Sequence, residues 1–130
     1  MAVSKKGSIV PEKGSMRIYV AGPYTKGDTV RNVRDALHAA EILLGMGHVP
    51  YVPHLTMFWH FVFPHAVDFW YEYDLRWLEV CDALYRLPGE SIGADNEIAR
   101  ARELGLPVYE RIQDVLTSSP ATSGQSKAPV

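Results

Sequence analysis

Residues 17–23 (RIYVAGP) have the pattern of a short buried strand that ends at a glycine–proline turn. After this turn, apolar side chains recur at helical spacing between Asp28 and Gly45. Asp28 or Thr29 is in position to cap the start of that helix, and Gly45 marks its end. A strand followed by a long helix predicts the first unit of a parallel sheet.

The same alternation continues along the chain. Further strands are predicted at residues 48–53, 83–87 and 107–109, and further helices at residues 68–80 and 93–104. This order predicts an α/β fold: a small doubly wound parallel sheet of four to five strands with helices on both faces, flavodoxin- or Rossmann-like. Ligands of such folds bind beyond the carboxyl ends of the strands, which here are the loops after Ala21 and Leu87 and the aromatic stretch after Pro53.

The composition suits one globular domain. The 130 residues are 47% hydrophobic and 22% charged. We expect residues 16–117 to form that domain, between a flexible leader at residues 1–15 and a disordered tail at residues 118–130. A formal charge of -2 favours neither a nucleic-acid polymer nor a membrane surface as partner. The sequence shows no signal-peptide pattern and no apolar run of membrane-spanning length, so we expect a cytoplasmic location.

The residue types that usually bind metals are sparse or badly spaced. Cys81 is the single cysteine, which excludes an internal disulfide and a cysteine-based zinc site, and we interpret it as a buried thiol. His54, His60 and His65 lack the spacing of a metal site, so we interpret them as structural. The sequence therefore predicts no metal site.

The loop after the first strand is a candidate binding segment. Gly22 allows close approach to the backbone, and Pro23 and Tyr24 follow it at the mouth of the predicted sheet. The loop matches neither the dinucleotide-binding nor the P-loop pattern. Its alternative interpretation is a plain turn in which Tyr24 packs on the sheet edge.

A second candidate segment opens the helix after the third strand. Ser91 can cap this helix or bind a phosphate oxygen, and Gly93 lets a ligand approach the backbone. Glu97 lies near the helix start, where the helix dipole favours an ionised carboxylate that can act as nucleophile or base. The alternative is that Ser91 is only a cap and that Glu97 pairs with Arg100 or Arg102 on a solvated face.

The helix before the third strand and the aromatic residues that precede it are less specific. Asp74 lies on a different helix face from the apolar stripe, and its plain interpretation is a charge near a helix N-terminus. The aromatic stretch at residues 54–70 suits stacking on a flat base, and it suits a subunit interface equally well.

Taken together, these segments resemble the nucleoside 2-deoxyribosyltransferase-like superfamily, which includes deoxyribosyltransferases and nucleoside 5'-monophosphate N-glycosidases. The resemblance is carried by residues 18–24 (IYVAGPY), 74–82 (DLRWLEVCD), 91–97 (SIGADNE) and 103–105 (ELG). It implies that Glu97 is the nucleophile, that Asp74 is a general acid or base, and that Tyr24 orients Glu97.

The resemblance also implies an activity. A retaining mechanism without cofactor would cleave the N-glycosidic bond of a (2'-deoxy)nucleoside or its 5'-monophosphate through a glycosyl intermediate on Glu97. The sugar would then pass to water or to another nucleobase. Ser91 stands where the hydrolases hold the 5'-phosphate, Lys26 is a second candidate for that contact, and Gly22, Pro23 and Gly93 would border the substrate.

Two further expectations follow. The resemblance implies at least a homodimer, and the apolar residues 58–63 (FWHFVF) are candidates for its interface. A different class of function, a non-catalytic nucleotide-binding or sensor domain on the same fold, remains the alternative. The presence of Tyr24, Asp74 and Glu97 together favours the enzyme.

Overall fold

The computed structural model describes residues 15–117. Four parallel strands form one sheet: β1 (Arg17–Ala21), β2 (Val49–Tyr51), β3 (Ala83–Arg86) and β4 (Val108–Tyr109). Their order across the sheet is β2-β1-β3-β4. The second strand therefore lies on one side of β1, and the third and fourth strands lie on its other side. The ligand crevice of such sheets lies past the ends of the two strands at this switch point, here β1 and β3. The predicted α/β fold is confirmed.

Five α-helices surround this sheet in the described part of the chain. They are α1 (Thr29–Gly45), α2 (Thr56–Val62), α3 (Val67–Leu78), α4 (Ile92–Glu103) and α5 (Ile112–Thr117). Helix α1 begins where predicted, because the Asp28 side chain accepts a hydrogen bond from the Arg31 amide at 3.2 Å. The sequence analysis did not predict α2 or α5, both of which are short.

The helices cover both faces of the sheet, because neighbouring residues of a strand point to opposite sides. Ile18 and Val20 point to one face and Tyr19 and Ala21 to the other. The first face packs on α1 and α5 through Ala36, Ala39, Ala40, Leu43 and Val115. The second face packs on α3 and α4 through Leu78, Ala94 and Ala101.

The observed boundaries differ from the predicted ones by one or two residues at most element ends. The second strand is shorter than predicted, since Pro53 begins a 3₁₀ turn that runs to Leu55. The predicted leader, apart from Ser15, and the predicted tail lie outside the described residues. None of the helices within residues 15–117 has the length and apolar character that a membrane crossing requires.

Candidate active site

Two tyrosines lie side by side on the face of the sheet that packs against α3 and α4. Tyr19 of β1 and Tyr51 of β2 are register partners in the parallel ladder. Their side chains therefore point the same way, and their ring centroids are 5.6 Å apart. Each ring is packed into the apolar layer, so each hydroxyl needs a polar partner there.

Glu97 is the partner of Tyr19. Helix α4 carries Glu97 in its second turn, facing the sheet, and the residue is 9% exposed. The Tyr19 hydroxyl donates a hydrogen bond to Glu97 Oε2 at 2.7 Å. This bond fixes the direction of the carboxyl group.

Asp74 is the partner of Tyr51. It lies on α3, is also 9% exposed, and accepts a hydrogen bond from the Tyr51 hydroxyl at 3.0 Å. Trp77 stacks on the Tyr51 ring, with 5.5 Å between centroids. The interpretation of Asp74 as an N-terminal helix charge is wrong, because α3 starts at Val67 and the acid in its first turn is Asp68.

Both carboxyl groups titrate abnormally. Burial raises the pKa of Asp74 to about 7, against a lowering effect of the Tyr51 hydrogen bond. Burial also raises the pKa of Glu97 to about 7; the Tyr19 hydrogen bond opposes this, the charge of Asp74 adds to it, and Arg86 opposes it. Both pKa values therefore lie near neutral pH, and the charge of Asp74 contributes to the raised pKa of Glu97.

Two expectations about Glu97 need correction. The helix start was expected to favour its ionised form, but burial outweighs that effect and raises the pKa of Glu97. The alternative, an exposed ion pair with Arg100 or Arg102, is also wrong. Arg100 instead contacts Glu103 and Glu79.

Helix α4 is capped at its start by Ser91, one of the two roles that the sequence predicted for this residue. Ser91 Oγ accepts a hydrogen bond from the Ala94 amide at 3.0 Å, so the capping role of Ser91 is confirmed. Gly93 faces open space, and an added Cβ would meet no heavy atom within 4 Å. Lys26 lies 3.7 Å from Glu90 in an exposed ion pair.

The loop after β1 departs from expectation in two ways. Leu87 fills the space beside Gly22, where an added Cβ would come within 2.8 Å of the Leu87 Cβ. Gly22 is therefore required for the packing of two loops.

The hydrogen bond to Glu97 expected from Tyr24 is made by Tyr19; Tyr24 instead places its ring edge-on against His54, with 5.9 Å between centroids. Pro23 is buried, and its carbonyl oxygen lies 3.0 Å from His54 Nε2.

Sequence reasoning missed Tyr19 and Arg86. A tyrosine in the middle of an otherwise aliphatic buried strand is itself a signal, because its hydroxyl requires a partner in the core. Arg86 ends β3 with its side chain 11% exposed and contacts Asp95 of α4 at 2.7 Å. It also donates to the carbonyl groups of Leu87 and Gly89, and so braces the loop that leads to α4.

Cys81 and the exposed phenylalanines of the aromatic stretch do not contribute to the two tyrosine–carboxyl pairs. Burial raises the pKa of Cys81 to about 11, which confirms a buried thiol. Within residues 15–117, no three potential ligands among His, Cys, Asp and Glu gather into a metal-binding group. The aromatic stretch does not fold into the core: Phe58, Phe61 and Phe63 are 60%, 71% and 64% exposed.

A family model described as a domain of unknown function, DUF7768, matches residues 16–111. The chain belongs to this family. The DUF7768 region contains the whole sheet and helices α1 to α4, and with them both tyrosine–carboxyl pairs. No curated protein matches the chain.

One similar solved structure is a 2-deoxyribosyltransferase from the psychrotolerant bacterium Bacillus psychrosaccharolyticus, described as a biocatalyst for nucleoside synthesis. The TM-score is 0.54 at 22% sequence identity, and the match covers 71% of this chain and 69% of that one. At this identity the similarity shows a common α/β fold.

Proposed function

We propose that the protein cleaves the N-glycosidic bond of a (2'-deoxy)nucleoside or its 5'-monophosphate. The observation that carries the proposal is the pair of buried carboxyl groups, Glu97 and Asp74, each hydrogen-bonded to a tyrosine of the sheet. A retaining glycosyl transfer needs two such groups, one to attack the sugar and one to exchange a proton with the leaving group. The fold shared with a 2-deoxyribosyltransferase supports this chemistry.

In the first step, the ionised Glu97 carboxylate attacks the anomeric carbon of the sugar. The bond between this carbon and the base nitrogen breaks, and its electron pair leaves with the base. Protonated Asp74 donates its proton to the base, which departs neutral. The sugar is then held as an ester on Glu97.

In the second step, water or another nucleobase attacks the same carbon. The ester bond breaks, its electron pair returns to Glu97, and the Asp74 carboxylate accepts the proton released by the attacking group. Two inversions at one carbon give overall retention. Neither step uses a metal or an organic cofactor.

The pKa values of Asp74 and Glu97 are both raised to about 7, so at neutral pH one carboxyl group can hold a proton while the other is ionised, and the proposal assigns that proton to Asp74. The Tyr19 hydroxyl supports the role of Glu97 in a different way. It donates to the carboxylate, favours the ionised form and holds one oxygen while the other is available for attack. Tyr19 therefore takes the orienting role that the resemblance implied for Tyr24.

Ser91 and Gly93 border the proposed substrate site at the start of α4. The exposed Gly93 backbone and the adjacent helix N-terminus suit an anionic group such as a 5'-phosphate. Ser91 would contact that phosphate in addition to its cap, which uses one of its two acceptor positions.

We further propose that the protein works as a homodimer or a higher homo-oligomer. The ten residues from 58 to 67 contain five largely exposed apolar side chains: Phe58, Phe61, Val62, Phe63 and Val67. A two-fold axis would cover this surface twice. Sedimentation of the full chain at micromolar concentration should then show a dimer or larger species; a monomer contradicts this part of the proposal.

The test of function is an incubation of the full chain with 2'-deoxynucleosides, ribonucleosides and their 5'-monophosphates, each with and without a free acceptor base. Release of base without acceptor identifies a hydrolase, and exchange that requires acceptor identifies a transferase. Stabilisation by a nucleotide against thermal unfolding with no turnover identifies the non-catalytic binding domain instead. That last result contradicts the proposed reaction.

A further inference from the structure

His54 lies where β2 ends, within the 3₁₀ turn of Pro53–Leu55. It belongs to the same edge of the sheet as the loop after β1, because its Nε2 lies 3.0 Å from the Pro23 carbonyl oxygen. A carbonyl oxygen only accepts hydrogen bonds, so Nε2 carries the proton in this contact. In the neutral ring Nδ1 is consequently a hydrogen-bond acceptor.

Nδ1 has no hydrogen-bond partner within the described part of the chain, although it is shielded from solvent and the residue is 5% exposed. Burial lowers the pKa of His54, in spite of the bond to Pro23, so the ring is neutral at neutral pH and Nδ1 keeps its lone pair as an acceptor. A buried acceptor without a partner is unfavourable for stability and is rare in folded proteins. A structural histidine would be expected to use both nitrogens.

The ring is close to the surface on one side. Tyr24 contacts it edge-on and is 37% exposed, and the Tyr24 hydroxyl makes no hydrogen bond to any of residues 15–117. Tyr24 belongs to a loop without helix or strand structure. A ligand that reaches the His54 ring from the side of this loop would have to displace Tyr24.

We propose that His54 Nδ1 is a binding site for a hydroxyl group of the substrate sugar. The site rests on the proposed function, since a nucleoside brings sugar hydroxyls to this edge of the sheet. The hydroxyl donates its proton to Nδ1, and Tyr24 moves aside to admit it. His54 is thereby a specificity residue that reads the sugar, in addition to the carboxyl groups that act on its anomeric carbon.

Two substitutions separate this role from the structural one. His54→Gln retains an amide nitrogen that can donate to Pro23 and removes the acceptor at the Nδ1 position. His54→Asn places an amide oxygen near the Nδ1 position and loses the donor to Pro23. If His54 has a structural role, His54→Asn should lower the stability of the fold. If His54 has the proposed role, His54→Gln should remove the recognition of the sugar hydroxyl.

The experiment measures binding of 2'-deoxyadenosine, 2',3'-dideoxyadenosine and 2',5'-dideoxyadenosine to the full chain, with Glu97→Gln in every arm so that no nucleoside is consumed. With His54 present, one dideoxynucleoside should bind about tenfold more weakly than 2'-deoxyadenosine, as expected for one hydrogen bond. His54→Gln should abolish this difference without lowering Tm. His54→Asn should keep the difference and lower Tm.

A second readout is the ¹⁵N resonance of His54 Nδ1, which should move upfield when 2'-deoxyadenosine binds. If the chain with His54 and the two His54 variants show the same difference in affinity between 2'-deoxyadenosine and the dideoxynucleosides, the proposed site is overturned and the reaction at Glu97 stands. If binding depends on the hydroxyl but the chain with native Glu97 releases no base, the site stands and the proposed reaction is overturned. Absence of any nucleoside binding to the chain with His54 overturns both.

Discussion

The two faces of the sheet are built from the same strands and differ in the polar side chains that they bury. On the face covered by α1 and α5, a cluster of buried apolar side chains includes Tyr85, and the buried His48 ring accepts a hydrogen bond from the amide of Met16, a member of that cluster. On the face covered by α3 and α4, two tyrosines and two carboxyl groups interrupt the apolar layer.

The two buried carboxyl groups of the second face are unfavourable for stability. Burial of carboxyl groups is costly even when they are hydrogen-bonded, and an apolar layer on the same face would stabilise the fold better. The proposed reaction would account for this cost, because it requires both carboxyl groups and both tyrosine hydroxyls on one face of the sheet.

The largest expected effect is the loss of activity in Glu97→Ala. If Glu97 is the nucleophile, as proposed, its removal should lower kcat by roughly 10³-fold or more, because the proposed mechanism has no other group that forms the glycosyl ester. Far-UV circular dichroism should show an unchanged fold. Glu103→Ala is the matched control on the same helix, where the side chain is exposed and pairs with Arg100. A Glu97→Ala variant with near wild-type turnover contradicts the assignment.

A smaller effect is expected of Asp74→Asn. The amide keeps the size of the side chain and loses the proton, so kcat for nucleosides with poorly leaving bases should fall by about 10²-fold. An activated aryl deoxyriboside needs no protonation and should be affected far less. One limb of the bell-shaped pH–rate profile should also flatten. Asp68→Asn in the first turn of α3 is the control; equal slowing of both kinds of substrate by Asp74→Asn would assign Asp74 to substrate binding.

The same two carboxyl groups should make stability depend on pH. Their pKa values are raised in the folded state to about 7, so the folded chain holds protons that the unfolded chain releases from about pH 4 upward. Stability should therefore fall as pH rises from 5 to 8. Asp74→Asn and Glu97→Gln should each increase the free energy of unfolding at pH 8 by on the order of 2 kcal/mol and reduce the slope.

A variant on the face covered by α1 and α5 is the control for the pH dependence of stability. Leu43→Ala removes a fully buried apolar side chain and should lower the free energy of unfolding by about 2–5 kcal/mol at both pH values, with the slope unchanged. A pH slope that is the same in wild type and in both carboxyl variants would show that the polar face does not titrate as described.

The smallest effect is expected of Ser91→Ala. Loss of the cap hydrogen bond to Ala94 should cost about 1 kcal/mol of stability. If Ser91 also contacts a phosphate, kcat/KM for 5'-monophosphates should fall while that for nucleosides is preserved. Thr29→Ala at the start of α1 is a control for a polar side chain in a first helical turn. An equal decrease for both substrate classes would leave Ser91 with its capping role alone.

Local pattern was sufficient to predict most of the architecture. The strand pattern of residues 17–21, followed by the helical spacing of residues 28–45, predicted a parallel sheet, because a strand that returns through a long helix pairs in parallel with its neighbour. The Asp28 and Ser91 caps were visible because each cap joins residues only three positions apart. The aromatic stretch was harder, since a seven-residue helix such as α2 is too short for its period to be distinguished from an irregular segment.

The composition of the site was decided by tertiary contacts. Tyr19 and Glu97 are 78 residues apart in sequence, and Tyr51 and Asp74 are 23 apart. The sequence marked both acids as candidates, and the resemblance implied Tyr24 as the orienting hydroxyl. That Tyr19 makes this hydrogen bond instead depends on how α4 packs against the sheet, which is a tertiary contact. Burial likewise reversed the expected ionisation of Glu97, since solvent exclusion arises only when α3, α4 and the sheet pack together.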